Sequence, residues 1–172
     1  ICAKILRRHA KAVNLKENFT IIDQDDQSRL IKSICSAENI DIKKISPNFI
    51  MSLINKWKNL GWYPNDVVLK KSDSLEKNLL KIYRIYQSKL TGLNACDFGD
   101  LILHCVSIFE KNLDINKMYS KNFRYILVDE YQDTNFIQSK WLKLLTKSHD
   151  NICCVGDDDQ SIYSWRGAEI KN

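Results

Sequence analysis

The stretch Tyr125-Ile126-Leu127-Val128-Asp129-Glu130-Tyr131-Gln132-Asp133-Thr134-Asn135 decides how the rest of this chain is read. Ile126, Leu127 and Val128 make an unbroken apolar run, the pattern of a short strand buried on both faces of a parallel sheet. The run stops at Asp129 and Glu130. In open α/β sheets ligands sit off the carboxyl ends of strands, so these two acids fall where a ligand binds. Adjacent strand side chains point opposite ways, which lets neighbouring carboxylates take different work. In nucleotide hydrolysis one carboxylate holds Mg²⁺ while another positions or deprotonates the attacking water. Taken alone, the pair is better read as a plain acidic corner between strand and loop.

A second stretch tips the balance. Ile152-Cys153-Cys154-Val155 is another short apolar run, closed by Gly156 and by Asp157, Asp158 and Asp159. One helix's worth of chain joins the two runs, which predicts a βαβ unit with both acidic ends on one edge. Gln160-Ser161-Ile162-Tyr163-Ser164-Trp165-Arg166-Gly167-Ala168 follows at once. The segments VDEYQDTN and VGDDDQSIYSWRGA resemble motifs II and III of the UvrD/Rep/PcrA family of superfamily 1 DNA helicases. Their spacing of about one helix fits as well.

The resemblance implies an α/β fold: a P-loop NTPase (RecA-like) motor-domain fragment with an all-helical insertion subdomain. It also implies roles at matching positions. Asp129 is expected to bind Mg²⁺ and the nucleotide, and Glu130 to be the catalytic carboxylate that activates water. Gln160 is expected to sense the γ-phosphate of ATP, and so to serve both binding and catalysis. Tyr163, Trp165 and Arg166 are expected to line a single-stranded DNA track. Aromatic stacking tolerates any base, and a guanidinium can hold phosphate or stack.

Composition sets the limits. The 172 residues are 44% hydrophobic and 27% charged, a globular balance. No run of 18 apolar residues and no signal-peptide pattern is present, so no membrane association is expected and a cytoplasmic location is. The six cysteines form no C-x-x-C pair, which argues against a zinc site. Cys153 and Cys154 read as small apolar residues of a buried strand.

Net charge is uneven. Residues 1–92 carry 17 Lys/Arg against 9 Asp/Glu, or +8, whereas residues 93–172 carry 9 against 12, or −3. The first part therefore suits a polyanion or simply a solvated lysine-rich surface, while the second gathers the acids of a metal–nucleotide site.

In chain order, a basic amphipathic helix should end near Asn14, and Phe19 to Ile22 should be extended. Asp23 should cap a helix to about Ala37. Ser46-Pro47 should open another that Gly61 stops, and a third should run from about Ser74 to Leu90. Trp57, Tyr83 and Tyr86 lie at core spacing, and Trp62 and Tyr63 are read with them as ordinary packing. Asp97 should cap a helix with Phe98, Leu101, Ile102, Cys105, Ile108 and Phe109 inward. Ile115 to Tyr119 should be a short helix, and Thr134 or Asn135 should start the crossover helix. Two domains are expected: residues 1–92, resembling the helical subdomain 1B, and residues 93–172, part of a RecA-like ATPase subdomain 1A.

Asn94 to Leu101 resembles the family's D-F-x-D-L segment, with Gly99 standing where most relatives have aspartate. None of the five glycines begins a G-x-x-x-x-G-K-[ST] phosphate loop. By resemblance a motif with a Thr-Phe-His core would precede Ile1. The expectation is thus a middle slice of an ATP-dependent helicase of 3′-to-5′ polarity, acting on single-stranded DNA and single/double-strand junctions in repair or replication. A RecB-like helicase–nuclease subunit and an inactive DNA-binding remnant remain the alternatives.

Overall fold

The structure is a computed structural model and describes residues 1–40, 42, 45–69 and 74–160. Helix α1 (Cys2–Arg8) passes into a 3-10 turn, Ala10–Val13, which ends at Asn14 with a left-handed φ of 60°. Strand β1 (Thr20–Ile21) follows. Asp23 accepts the Asp26 N–H at 2.9 Å and opens α2 (Gln24–Ala37). Ser46 accepts the Phe49 N–H at 3.2 Å and Pro47 fills the first turn of α3 (Pro47–Asn59). Gly61, at φ 78°, turns the chain away from that helix, and α4 (Ser74–Gly92) comes next. These starts and stops follow from local capping chemistry, and each lies close to its expected place.

Strand β2 (Ala95–Cys96) leads into α5 (Phe98–Lys111) through a capping box. Asp97 Oδ1 accepts the Asp100 N–H at 2.9 Å, and Asp100 Oδ2 accepts the Asp97 N–H at 3.2 Å. Helix α6 (Leu113–Asn122), strand β3 (Ile126–Val128), helix α7 (Phe136–Leu145) and strand β4 (Ile152–Cys154) complete the α-helices and strands among the described residues. Asn135 and Gln138 form the box that starts α7. Among the described residues there are two parallel two-stranded sheets, β1 with β2 and β3 with β4. The second is the expected βαβ unit. The first was not foreseen, because two residues per strand leave no periodicity to read.

Two main apolar clusters hold these elements. One joins α2, α3 and α4 through Ile31, Ile34, Ile54, Trp57, Ile82 and Tyr83, with Trp57 stacked on Tyr83 at 5.5 Å between centroids. Trp57, Tyr83 and Tyr86 are core residues as expected, whereas Trp62 and Tyr63 are only partly covered. The other cluster sets Ile5, Leu6 and Phe19 against Cys105, Phe109, Tyr119 and Leu145. The N-terminal segment therefore packs with residues beyond 92, although its charge groups it with the residues before.

Two burial expectations fail. Strands β3 and β4 are not covered on both faces: Ile126 packs against the second cluster, but Leu127 is 83% exposed and Cys153, Cys154 and Val155 are exposed. A parallel strand is buried on both sides only where helices cover both faces. Among the described residues one face of this pair has no such cover, and both strands are edges. Phe98 points outward at 62% exposure, because the buried residues of α5 begin two positions later, at Asp100.

Gly99 has a structural reason. A Cβ there would stand 3.0 Å from Lys58 Cδ. The Lys58 stem runs past this point to reach Asp97 and Asp100, at 2.6 and 2.7 Å from Nζ, with all three side chains essentially sealed from solvent. The missing side chain makes room for a buried lysine.

Candidate active site

The acids of the two motifs meet at the carboxyl edge of the β3–β4 pair. The strands run in register, with Val128 beside Cys154. Beyond the register the ladder continues by single bonds between the loops: Val155 N–H donates to Val128 O at 2.8 Å, and Tyr131 N–H donates to Val155 O at 2.9 Å. These fix the loop after β3 against the loop after β4.

Asp129 and Glu130 are both exposed on that edge. Glu130 has φ 52° and ψ 44°, a left-handed conformation that non-glycine residues adopt rarely and at a cost of about 1–3 kcal/mol. Its N–H donates to Asp129 Oδ1 at 3.0 Å. Both residues remain open to solvent on this edge. A 3-10 turn, Tyr131–Asp133, follows and feeds α7.

Gln132, which carried no role in the sequence reading beyond its place in the motif, sits between the two loops and is 4% exposed. Its Nε2 donates to Glu130 Oε2 at 2.6 Å. Its Oε1 accepts the Asp157 N–H at 2.9 Å. Gly156 permits this approach, since a Cβ there would lie 2.6 Å from Gln132 Oε1 and 3.1 Å from Gln132 N. Asp157 in turn accepts the Asp159 N–H at 3.0 Å and Gln160 Nε2 at 2.8 Å. Glu130, Gln132, Asp157 and Gln160 therefore form one hydrogen-bonded chain across the edge. The signal for Gln132 was a long polar side chain two residues past the acid pair, where the apolar pattern had already ended.

Of the residues singled out from sequence, Asp129, Glu130 and Gln160 come together here. Tyr163, Trp165 and Arg166 lie outside the described residues. Among the described residues no three His, Cys, Asp or Glu side chains gather into a full metal cage. A single exposed carboxylate at Asp129 suits instead a hard cation that keeps several waters and shares its other positions with phosphate oxygens, the habit of Mg²⁺. The donor set fits that ion. A groove of about 980 Å³, lined by Trp62, Arg84, Lys111 and Lys140 among others, lies on the α3–α5 side and includes none of these acids.

Paired carboxylates and a glutamine on the carboxyl edge of a parallel βαβ unit define a class, that of α/β proteins whose ligand site is built from loops beyond the strands. Comparison then gives the family. The family model for the UvrD/REP helicase N-terminal domain matches residues 1–172. DNA helicase II of Rickettsia typhi is 47% identical over 178 residues, covering 100% of this chain and 27% of that protein. A probable DNA helicase II homolog of Rickettsia conorii is 45% identical, again over the whole chain and 27% of its own length. The ATP-dependent DNA helicase PcrA of Staphylococcus epidermidis is 42% identical, over the whole chain and 24% of its length. The chain belongs to the UvrD/REP helicase family and spans about a quarter of the length of these relatives. Among the described residues no helix is long and apolar enough to cross a membrane.

Proposed function

We propose that this chain is the part of an ATP-dependent, 3′-to-5′ DNA helicase that carries the catalytic carboxylates and the helical insertion. The convergence of Asp129, Glu130 and Gln160 on one strand edge, in a chain matched throughout by the helicase family model, supports this most directly. In this reading Asp129 holds Mg²⁺ on ATP, Glu130 takes the proton of the attacking water, and Gln160 reports the γ-phosphate. The metal supplies charge neutralisation on the phosphates. The helical insertion, expected over residues 1–92 and built around the α2–α4 cluster, contacts the phosphate backbone of DNA through its excess of Lys and Arg. Residues 93–172 belong to a RecA-like motor domain of the P-loop NTPase fold. The partners are single-stranded DNA and single/double-strand junctions, the work is repair or replication, and the compartment is the cytoplasm.

Two measurements test this. The full-length protein should release phosphate from ATP, faster with single-stranded DNA, and unwind duplexes bearing a 3′ tail in preference to a 5′ tail. The isolated 172 residues should not hydrolyse ATP, because their sequence contains no lysine-bearing loop to hold the β- and γ-phosphates. Turnover by this segment within the enzyme range of about 1–10³ s⁻¹ would contradict the reading.

The DNA track has its own test. In the full-length protein, Trp165→Ala should weaken single-stranded DNA binding by about 1–3 kcal/mol, similarly for different base sequences. Arg166→Ala should lower the salt slope of binding by about one unit. A tryptophan that served only the core would instead lower the melting temperature and leave the affinity of the folded protein unchanged.

A further inference from the structure

We infer that Gln132 is a positioning residue, one amide that aims the Glu130 carboxylate and ties it to the loop carrying Asp157 and Gln160. The inference rests on the proposed reading of Glu130 as the water-activating group. Three observations carry it. Gln132 is buried, so its amide has no water to fall back on, and both of its ends are engaged. Its two partners belong to different loops, Glu130 after β3 and Asp157 after β4. Gly156 lies so close that any side chain there would displace the Gln132 Oε1 atom, which marks the approach as one the backbone is built to allow.

The geometry has a mechanical consequence. A carboxamide is planar, so Nε2 and Oε1 turn together. A shift of the Asp157 backbone that drags Oε1 must also swing Nε2 against Glu130 Oε2. Asp157 is held on its other side by Gln160 through the 2.8 Å bond to Oδ2 and through the Gln160 N–H to Asp157 O bond at 3.0 Å. Movement of Gln160 is thereby handed to Glu130 through rigid groups and short bonds. An ionised acceptor makes the Glu130 end the stronger of the two bonds. Gln132 itself need not touch the nucleotide.

The test uses the full-length helicase with Gln132→Met, which keeps the volume and loses both bonds, and Gln132→Glu, which keeps the acceptor for Asp157 and loses the donor to Glu130. Both should lower kcat for DNA-stimulated hydrolysis by about 10–100-fold, the range seen when partners that orient a site's ligands are removed. KM for ATP and binding of a fluorescent nucleotide should stay within about threefold, and the ratio of stimulated to basal hydrolysis should fall. A rate and stimulation ratio equal to wild type in either variant overturns the inference. So does a parallel loss of nucleotide binding, melting temperature and rate, which would make Gln132 a packing residue only. Should Gln132→Met fail to fold, Gln132→Glu decides alone, and wild-type activity in it is the overturning result. Glu130→Gln run alongside separates the two levels. If that variant still hydrolyses ATP, the reading of Glu130 fails; if it is inactive while the Gln132 variants are normal, only the present inference fails.

Discussion

Glu130→Gln in the full-length protein is expected to cut ATP hydrolysis by about 10²–10⁴-fold, the usual cost of removing a general base. The amide matches the carboxylate in shape and can still meet Gln132, so the left-handed turn and the Tyr131–Val155 bond should persist. What it cannot do is accept a proton from water. Nucleotide binding should therefore survive, and single-turnover mixing should show bound ATP that is not cleaved. Asp129→Ala should fail differently, with Mg²⁺-dependent nucleotide affinity falling first, because the cation loses its protein oxygen. Equal loss of binding in both variants would show the two roles to be wrongly divided. The two carboxylates have different partners: Asp129 spends one oxygen on the Glu130 N–H, while Glu130 reaches across to Gln132.

What the sequence made legible was local. Asp23, Ser46-Pro47, Asp97 and Asn135 announce helix starts because the hydrogen bonds they make lie within three residues. The acids at Asp129 and Asp157 announced a strand edge because an apolar run ends abruptly before each. What stayed hidden depends on partners distant in sequence. Gln132 needs Asp157, 25 residues on, before its second bond exists. Nothing local sets Lys58 apart from the other lysines of a basic segment, and its carboxylate at Asp97 is 39 residues away. Strand burial was misread for a related reason. The apolar composition of Ile126 to Val128 and Ile152 to Val155 suggests burial on both faces, but one face is bare among the described residues. The length of β2 put it below any periodic signal.

The second large effect is expected at Lys58. Its Nζ lies between Asp97 Oδ2 and Asp100 Oδ1, with Tyr86 donating to Asp97 at 2.9 Å and Gln87 donating to Asp100 at 2.8 Å. One cation thus serves two carboxylates that also cap α5, joining the α2–α4 cluster to the helix that supports the acid edge. Burial alone would lower the Lys58 pKa, but Asp100 and Asp97 hold it above its ordinary value. Burial raises Asp97, helped by the Asp100 charge, whereas for Asp100 burial is outweighed by Lys58 and His104 and the carboxyl is held low.

Lys58→Met keeps the stem and removes the charge, leaving two buried carboxylates without a cation. Breaking a buried pair in this way costs about 3–5 kcal/mol, a fall of about 6–20 °C in melting temperature for a chain of this size. In the wild type, the Lys58 contribution is complete below its unfolded pKa and is lost only as pH rises through the higher folded value. The Asp100 contribution is present above its unfolded pKa and is lost as pH falls through the lower folded value, while Asp97 acts in the opposite sense. In the variant both carboxylates lack their cation and bind protons more readily folded than unfolded. Its deficit should therefore shrink on going from about pH 7 to about pH 5. The triple variant Lys58→Met/Asp97→Asn/Asp100→Asn, neutral and still able to cap α5, should recover more than half of the loss. Thermal melts of the three proteins decide it: a single variant that melts with the wild type at every pH would mean that Lys58 reaches solvent and the triad does not bind the two clusters together.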